Sequence, residues 1–272
     1  MKKFFSLLFL PLNLLAIDPD REYDLTPDSI GWDYEQLIIS TEDGYDLNTW
    51  IYAPNSESQK DEVLILAYPD AGNMSYYVLH ASILANLGYT VITFDYRGFG
   101  KSSDFDIKKD NLFHLEFATD LVAIVNFAEN RFEDGSLGIW ASSMGSMVTT
   151  FAFEDIKSEI DFLIYDGFVY SPNEHIERLK ALKGKETFSP IPSAKYTQKW
   201  KAIDVPILLF AGSKDEITTT EVAKSIEDEL SPIAVIQIFD GGHLMGFQHE
   251  IKKSGFGGWY STQIDEFIRN KL

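Results

Sequence analysis

The stretch "GIWASSMGS", residues 138–146, places two adjacent serines between a run of apolar residues and a glycine. Residues 136–141 have the continuous apolar character of a buried strand, and residues 143–153 have the periodicity of a helix. The serines therefore lie where a strand gives way to a helix. A tight turn of this kind can hold a serine hydroxyl away from the backbone, where it is available for chemistry.

The turn distinguishes between the two serines. A nucleophilic serine in such a turn needs small residues two positions before it and two positions after it, because the backbone folds back closely on itself. Ala141 and Gly145 occupy these positions around Ser143, whereas a tryptophan and a methionine occupy them around Ser142. We therefore predict Ser143 as the reactive serine and Ser142 as its neighbour in the turn.

The rest of the chain alternates strand-like and helix-like segments. The predicted strands are Glu35–Ser40, Asn48–Ala53, Val63–Tyr68, Thr90–Asp95, Ser136–Ala141, Asp161–Asp166, Pro206–Ala211 and Ala234–Phe239. The predicted helices are Tyr76–Leu87, Asn111–Asn130, Ser143–Phe153, Thr219–Leu230 and Trp259–Leu272. This alternation predicts the α/β class: one doubly wound, mostly parallel, eight-stranded sheet with helices on both faces, in which only the leading hairpin is antiparallel.

Two residues that can activate Ser143 follow the last two predicted strands. Asp215 comes just after Pro206–Ala211, and His243 comes just after Ala234–Phe239. The functional edge of such a sheet is the one formed by the carboxyl ends of its strands, so all three side chains are expected there. A serine hydroxyl is a weak nucleophile, and it needs a general base, here His243, that is oriented by a carboxylate, here Asp215.

Other polar residues are alternatives to this set. Asp166 also ends a predicted strand and is the alternative acid or a wall of the site, although we favour Asp215. His175 is an alternative substrate contact, and the remaining histidines are expected to be solvated or packed: His80, His114 and His249. Two histidines in "GGHLMGFQHE" (241–250) are six residues apart and do not align on one helix face, so we predict no metal site.

The composition excludes several classes of function. The chain of 272 residues has a formal net charge of −19, and nucleic acid is not an expected partner because phosphate binding rests on clustered Lys and Arg. The chain contains no cysteine, which excludes disulfides, thiolate metal sites and cysteine-based catalysis. A hydrophobic content of 45% is sufficient for a large core.

The first residues have the order of a secretory signal. Two lysines precede a largely apolar stretch from Phe4 to Ile17, and an acidic run follows. This order predicts a signal peptide at 1–16, an N-terminal extension at 17–33 and one domain at 34–272. We expect a secreted or periplasmic protein, with an uncleaved anchor or a cytosolic protein with an apolar tail as alternatives. Membrane contact is expected only through this segment.

The longest irregular insertion runs over residues 168–204. In a doubly wound sheet the ligand binds beyond the carboxyl ends of the strands, so a long loop there is a candidate lid. Its aromatic residues would suit a partly apolar acyl or aryl substrate: Phe168, Tyr170, Phe188, Tyr196 and Trp200. The alternative is a surface excursion with one short helix, whose aromatic residues pack it onto the domain.

Five short stretches carry motifs: "ILAYPDAGN" (65–73), "FDYRGFGKS" (94–102), "ASSMGS" (141–146), "AGSKDEI" (211–217) and "GGHL" (241–244). Together they resemble the α/β-hydrolase superfamily, and within it the monoacylglycerol-lipase-like and serine-aminopeptidase-like serine hydrolases. The resemblance covers the chain from about Tyr34 onward. It implies an α/β-hydrolase fold with Ser143 as nucleophile, Asp215 as acid and His243 as base.

Such a site needs two N–H donors for the oxyanion, one from the residue after the nucleophile and one from the loop after the third predicted strand. Met144 supplies the first. Many relatives have a His-Gly pair where this chain has Tyr68 and Pro69, and a proline has no N–H. Asp70 is therefore expected to donate the second through its backbone. An ionised Asp70 side chain would oppose the oxyanion unless it points away or pairs with a cation such as Arg97.

The resemblance implies hydrolysis of a carboxylic ester or thioester through an acyl-enzyme on Ser143, with a small-molecule acyl substrate and neither cofactor nor metal. An aminopeptidase or amidase that uses the same residues is one alternative, which an acidic residue placed to bind a free amine would favour, such as Asp70 or Glu174. A catalytically idle hydrolase fold that binds a ligand or a partner is the other, since a fold does not fix a function.

Overall fold

The computed structural model describes residues 16–55, 57–112, 115–184 and 186–271. Residues 1–15, which make up most of the predicted signal peptide, lie outside the described residues, and so does His114.

Within these ranges the chain alternates strands and helices. The strands are β1 (Asp18–Pro19), β2 (Tyr34–Ser40), β3 (Asp46–Tyr52), β4 (Val63–Ala67), β5 (Ala71–Gly72), β6 (Thr90–Phe94), β7 (Leu137–Ser142), β8 (Phe162–Asp166), β9 (Ile207–Gly212) and β10 (Ala234–Phe239). The helices are α1 (Val78–Asn86), α2 (Glu116–Arg131), α3 (Met144–Ile156), α4 (Pro172–Lys183), α5 (Ser193–Trp200), α6 (Thr220–Glu229), α7 (Ile251–Ser254) and α8 (Gly258–Lys271). Short 3-10 turns span Pro27–Ile30, Met74–Tyr77 and Gly246–Gln248.

Eight strands form one sheet in the order β10-β9-β8-β7-β4-β6-β3-β2, and β1 pairs with β5 in a separate ladder. The pairs from β10 across to β6 are parallel. Strands β2 and β3 form an antiparallel hairpin, and β3 also runs antiparallel to β6. The predicted α/β-hydrolase fold, a mostly parallel eight-stranded sheet with an antiparallel leading hairpin, is confirmed.

The central strands are apolar along their whole length because helices cover both faces of the sheet. Every residue of β4, β6, β7, β8 and β9 is buried. On one face the Trp140 indole donates to the Tyr260 hydroxyl of α8 at 3.1 Å. The ring of Phe162 packs against Phe267 of the same helix. This packing holds β7 and β8 against α8.

The helix predicted from Asn111 begins later than expected. Helix α2 starts at Glu116, and Asn111 forms an isolated parallel bridge with Phe188 of the insertion. The Leu112 amide donates to the Phe188 carbonyl at 2.7 Å, and the Phe188 amide donates to the Asp110 carbonyl at 2.8 Å. These bonds tie residues 110–112 to the insertion, so the helix begins only after them.

The insertion at 168–204 contains two helices, α4 and α5, where the surface-excursion alternative expected one short helix. Phe168, Tyr196 and Trp200 are buried, and the Tyr196 hydroxyl donates to the Val169 carbonyl at 2.6 Å. These three rings pack the insertion onto the domain. Phe188, in contrast, is 59% exposed.

The described part of the N-terminal extension packs against the domain. Strand β1 runs parallel to β5 in the loop that follows β4, and Ala16 and Ile17 are buried. Among the residues that the structure describes, no helix combines the length and the apolar character needed to cross a bilayer.

Candidate active site

Ser143 lies in the tight turn between β7 and α3. Its φ of 49° and ψ of −113° are a conformation that L-residues rarely adopt, and such backbone strain concentrates at functional sites. The Ser143 amide donates to the Asp166 carbonyl at 2.9 Å. Gly145 passes so close to β4 that a Cβ there would lie 1.9 Å from the Ala67 carbonyl oxygen. The small residue that the sequence pattern requires at position 145 therefore has a steric cause.

The structure brings Ser143, His243 and Asp215 into one hydrogen-bonded row. His243 Nε2 lies 3.0 Å from Ser143 Oγ, and His243 Nδ1 lies 2.8 Å from Asp215 Oδ2. The three residues follow β7, β10 and β9, so the parallel strands deliver them to one edge of the sheet. Ser143 and Asp215 are each 6% exposed.

Thr218 joins this row and was missed by the sequence analysis. Its hydroxyl donates to Asp215 Oδ2 at 2.7 Å and lies 3.1 Å from His243 Nδ1. The amides of Ile217 and Thr218 donate to the other carboxylate oxygen at 2.8 and 2.9 Å. The sequence did hold a signal, since an aspartate commonly accepts bonds from backbone amides two or three residues further on. These bonds fix the orientation of the carboxylate.

Burial and charge act in opposite directions on the pKa values of the pair. Burial raises the pKa of Asp215, but the charge of His243 and hydrogen bonds from His243 and Thr218 outweigh it and hold this pKa below its ordinary value. Burial lowers the pKa of His243, but the charge and hydrogen bond of Asp215, together with the charges of Asp166 and Asp70, outweigh burial and raise this pKa above its ordinary value. At neutral pH an ionised Asp215 thus faces an imidazole whose protonated form is stabilised.

A second buried carboxyl lies at the end of β8. Asp166 is 5% exposed, and its Oδ1 accepts no hydrogen bond from the described residues. Burial raises the pKa of Asp166 to about 7, although the charge of His243 and a hydrogen bond from Tyr260 act to lower it. Of the two acids considered from the sequence, the structure places Asp215 on His243 Nδ1. Asp166 acts on His243 through its charge.

The two expected oxyanion donors belong to elements that meet at Gly145. Met144 is the first residue of α3, where a backbone N–H has no acceptor within the helix and the helix dipole adds partial positive charge. Asp70 lies in the loop after β4, and the contact of Gly145 with the Ala67 carbonyl holds the end of β4 against the start of α3. The arrangement brings the segments of both donors together.

The pairing of Arg97 with Asp70 that the sequence analysis considered is not formed. Arg97 Nε donates to Asp120 at 2.7 Å, and its two Nη atoms donate to Asp43 at 2.6 and 2.8 Å. The guanidinium is buried between these carboxylates, which use its donors. The charge of Asp70 instead reaches His243, where it is among the charges that outweigh burial and raise the pKa.

The other described histidines have structural surroundings. His80 is packed among three aromatic rings, and burial lowers its pKa to about 4. His249 packs against Trp259, and His175 is buried in α4. In the described part of the chain, no group of three or more His, Asp or Glu side chains is arranged to hold a metal ion.

A groove of about 960 Å³ lies against α2, α3 and α5. Phe151 and Asp155 of α3 contribute to its wall. They follow Ser143 by eight and twelve residues, which corresponds to about 12–18 Å along the helix. The groove is therefore remote from the Ser143 hydroxyl and does not hold an acyl group that is under attack by it.

Comparison with known proteins places this chain in a family. Residues 71–198 match the family model described as serine aminopeptidase, S33. The YfhR protein of Escherichia coli strain K12 is 34% identical over 272 residues, which cover 96% of this chain and 88% of that protein. The membrane protein YNL320W of Saccharomyces cerevisiae is 26% identical over 200 residues, which cover 72% of this chain and 68% of that protein. The chain belongs to the α/β-hydrolase superfamily.

Solved structures share the fold. The esterase Pf2001 of Pyrococcus furiosus has a TM-score of 0.74 at 20% identity and covers 94% of this chain and 98% of its own. A thermostable carboxyl esterase from Bacillus coagulans has a TM-score of 0.65 at 14% identity, and the match covers 88% of this chain and 98% of that esterase. XC6422 of Xanthomonas campestris, an α/β serine hydrolase without a lid, has a TM-score of 0.61 at 18% identity, with 88% and 95% covered. At these identities the likeness shows the fold alone.

Proposed function

We propose that this protein is a serine hydrolase that cleaves a carboxylic ester or thioester through an acyl-enzyme on Ser143. The observation that carries the proposal is the hydrogen-bonded row of Ser143, His243 and Asp215, with separations of 3.0 and 2.8 Å. A nucleophile within reach of a base that is itself oriented by a third group is the arrangement that activates a serine. The strained backbone of Ser143 supports the same role.

The steps follow from this geometry. Ser143 Oγ attacks the substrate carbonyl carbon while His243 Nε2 takes its proton, and the bond to the leaving group breaks as His243 gives that proton to it. A water molecule then loses a proton to His243 and attacks the acyl carbon. The bond from that carbon to Ser143 Oγ breaks, the acid is released, and His243 returns the proton to Ser143 Oγ. Asp215 remains ionised and stabilises the imidazolium, and the amides of Met144 and Asp70 hold the oxyanion.

The first experiment treats the full chain with a fluorophosphonate probe and locates the modified peptide by mass spectrometry. We expect the label on Ser143, its loss in Ser143→Ala and its retention in Ser142→Ala, which is the matched control because Ser142 is the adjacent buried serine. Absence of label on the folded wild-type protein would overturn the proposal and favour a hydrolase fold that only binds.

A second candidate is cleavage of an amide whose acyl part carries a free amine. The charges of Asp70 and Asp166 near His243 favour a cationic group at this site, and the family model that matches the chain is described as a serine aminopeptidase. Rates on a matched ester and anilide, each with and without a free α-amine, separate the two. Preference for the aminoacyl anilide would replace the esterase assignment.

A further inference from the structure

The loop that carries Asp70 is held by the N-terminal part of the chain. We name residues 16–24 the N-terminal strap. The Asp18 amide donates to the Asp70 carbonyl, and the Asp20 amide donates to the Gly72 carbonyl, both at 2.8 Å. The first of these bonds fixes the carbonyl of the residue whose N–H is the expected oxyanion donor, and so restricts rotation of the backbone at that residue.

Asn73 joins the loop to the strap a second time. Its side chain is fully buried, and Nδ2 donates to the carbonyls of Asp20 at 3.1 Å and Glu22 at 2.6 Å. Its Oδ1 accepts the Ser75 amide at 2.9 Å. Both polar atoms of this buried amide are therefore bonded, and the two bonds from Nδ2 hold the loop against the strap; buried bonds of this kind are costly to break.

The strap is itself anchored to the loop that follows β6. The Arg21 guanidinium donates to the carbonyls of Phe99 at 3.1 Å and Ser102 at 2.9 Å. The Tyr23 hydroxyl donates to the carboxylate of Asp95, which is fully buried. The strap therefore spans two loops at the carboxyl ends of neighbouring strands and ties one to the other.

We propose that the N-terminal strap is a positioning element of the oxyanion hole, which fixes the Asp70 amide before substrate binds. This inference rests on the proposed function. Met144 needs no such support, because it begins a helix that packs on the sheet. Asp70 lies in a loop, and a donor that must reorganise during the reaction contributes less than one that is already aligned.

Asp18→Pro tests the strap, because proline has no N–H for the Asp70 carbonyl. Asp18→Ala is the matched control, since it keeps the amide and removes the side chain, including its ion pair to Lys109. In the full chain, we expect Asp18→Pro to lower kcat on an activated ester about 10- to 100-fold and to slow fluorophosphonate labelling of Ser143 in parallel, with KM changed less than about twofold. Asp18→Ala should stay within about twofold of the wild type.

Hydrogen exchange at the amides of residues 70–73 reports how firmly the strap holds the loop, independently of chemistry, and it should be faster in Asp18→Pro than in Asp18→Ala. If Asp18→Pro does not fold, Arg21→Ala provides the milder test, with a loss in kcat of about threefold to tenfold. The inference is overturned if a folded Asp18→Pro keeps the wild-type kcat and labelling rate, or if Asp18→Ala loses as much kcat as Asp18→Pro does. It is also overturned if Arg21→Ala leaves kcat unchanged. A wild-type protein that shows no labelling overturns the proposed function instead, which keeps the two failures distinguishable.

Discussion

Two charge clusters, one around the buried Arg97 and one around His243, differ in how their carboxyl groups are bonded. Around Arg97, one guanidinium donates to two aspartates and satisfies both. Around His243, one imidazole is bonded to Asp215, while the neighbouring Asp166 has a carboxyl oxygen that no described residue bonds. Both carboxylates of the Arg97 cluster are bonded to its guanidinium, whereas the His243 cluster contains a second buried carboxyl, Asp166, that has no cation bonded to it among the residues that the structure describes.

This difference indicates that the Arg97 cluster stabilises the fold, whereas the His243 cluster keeps groups that can take part in proton transfer. A buried ion pair with all its hydrogen bonds made contributes little when intact, but removal of one partner is strongly destabilising. Buried carboxyls with shifted pKa values and strained backbone cost stability, and they are found where function requires them. The two clusters should therefore respond to mutation in opposite ways.

The largest expected effect is on activity, in the His243 cluster. Ser143→Ala should lower kcat/KM by a factor on the order of 10⁵ to 10⁶, because no other group supplies the nucleophile. Its unfolding free energy should stay within about 1 kcal/mol of the wild type, since a buried hydroxyl is exchanged for hydrogen at an unchanged backbone. Ester hydrolysis and urea denaturation measure the two quantities. Residual hydrolysis near the wild-type rate would remove Ser143 from the mechanism.

The Arg97 cluster should give the opposite result. Arg97→Met leaves two carboxylates without their cation and should lower the unfolding free energy by about 3–5 kcal/mol, as measured by urea denaturation. The activity per labelled active site should be unchanged. Arg131→Met is the matched control, because its ion pair with Glu35 is about half exposed and should contribute less than about 1 kcal/mol. An Arg97→Met variant of full stability and low activity would reverse the comparison.

The third effect is a pH-dependent gain in stability. Burial raises the pKa of Asp166 to about 7, so the native state binds this proton more tightly than the unfolded chain does. The resulting stability is complete below the ordinary carboxyl pKa near 4 and is lost as the pH rises through 7. Asp166→Asn has no such loss, so thermal melts should show its Tm rising relative to the wild type by several degrees between pH 4 and pH 8.5.

Asp155→Asn is the control for this measurement, because it removes one carboxylate from an exposed position and so matches the change in net charge. If the Tm of Asp166→Asn follows that of the wild type at both pH values, the native state does not bind the Asp166 proton more tightly than the unfolded chain does. The two clusters would then be alike.

The smallest effect concerns the Asp70 side chain. Asp70→Asn removes one of the charges that raise the pKa of His243 against burial, so the acidic limb of the kcat/KM profile should move a few tenths of a unit to lower pH. On a neutral ester kcat should rise by up to about threefold, because a negative charge near the oxyanion is lost. Asp70→Glu keeps the charge and should leave the acidic limb of the kcat/KM profile at the same pH as in the wild type. A fall in kcat/KM confined to substrates with a free amine would instead assign the carboxylate to substrate binding.

Much of the fold and the proximity of the three site residues follow from local sequence patterns. Continuous apolar runs identify the parallel strands, and the residues after β7, β9 and β10 share one edge by topology alone. The small residue at Gly145 already distinguishes Ser143 from Ser142. These inferences need only nearest neighbours in the sequence and the rules of sheet geometry.

The features that the sequence did not reveal depend on distant contacts. The start of α2 is set by bonds to Phe188, and Arg97 takes its carboxylates from a hairpin and from α2. The pairing of Asp18 with Ala71 joins segments more than fifty positions apart. No local periodicity encodes such partners, because each is selected by the packing of the completed domain.

The N-terminal strap also has a consequence for synthesis. It leaves the ribosome before its partner loop at residues 69–73, and His243 follows only after β10. Contacts between such distant segments form late, since the chain entropy of closing the intervening loops is lost before the contacts stabilise. A nascent chain therefore lacks His243 until β10 has been made. The hydrogen-bonded row of Ser143, His243 and Asp215 is completed by its base, the last of the three to be synthesised.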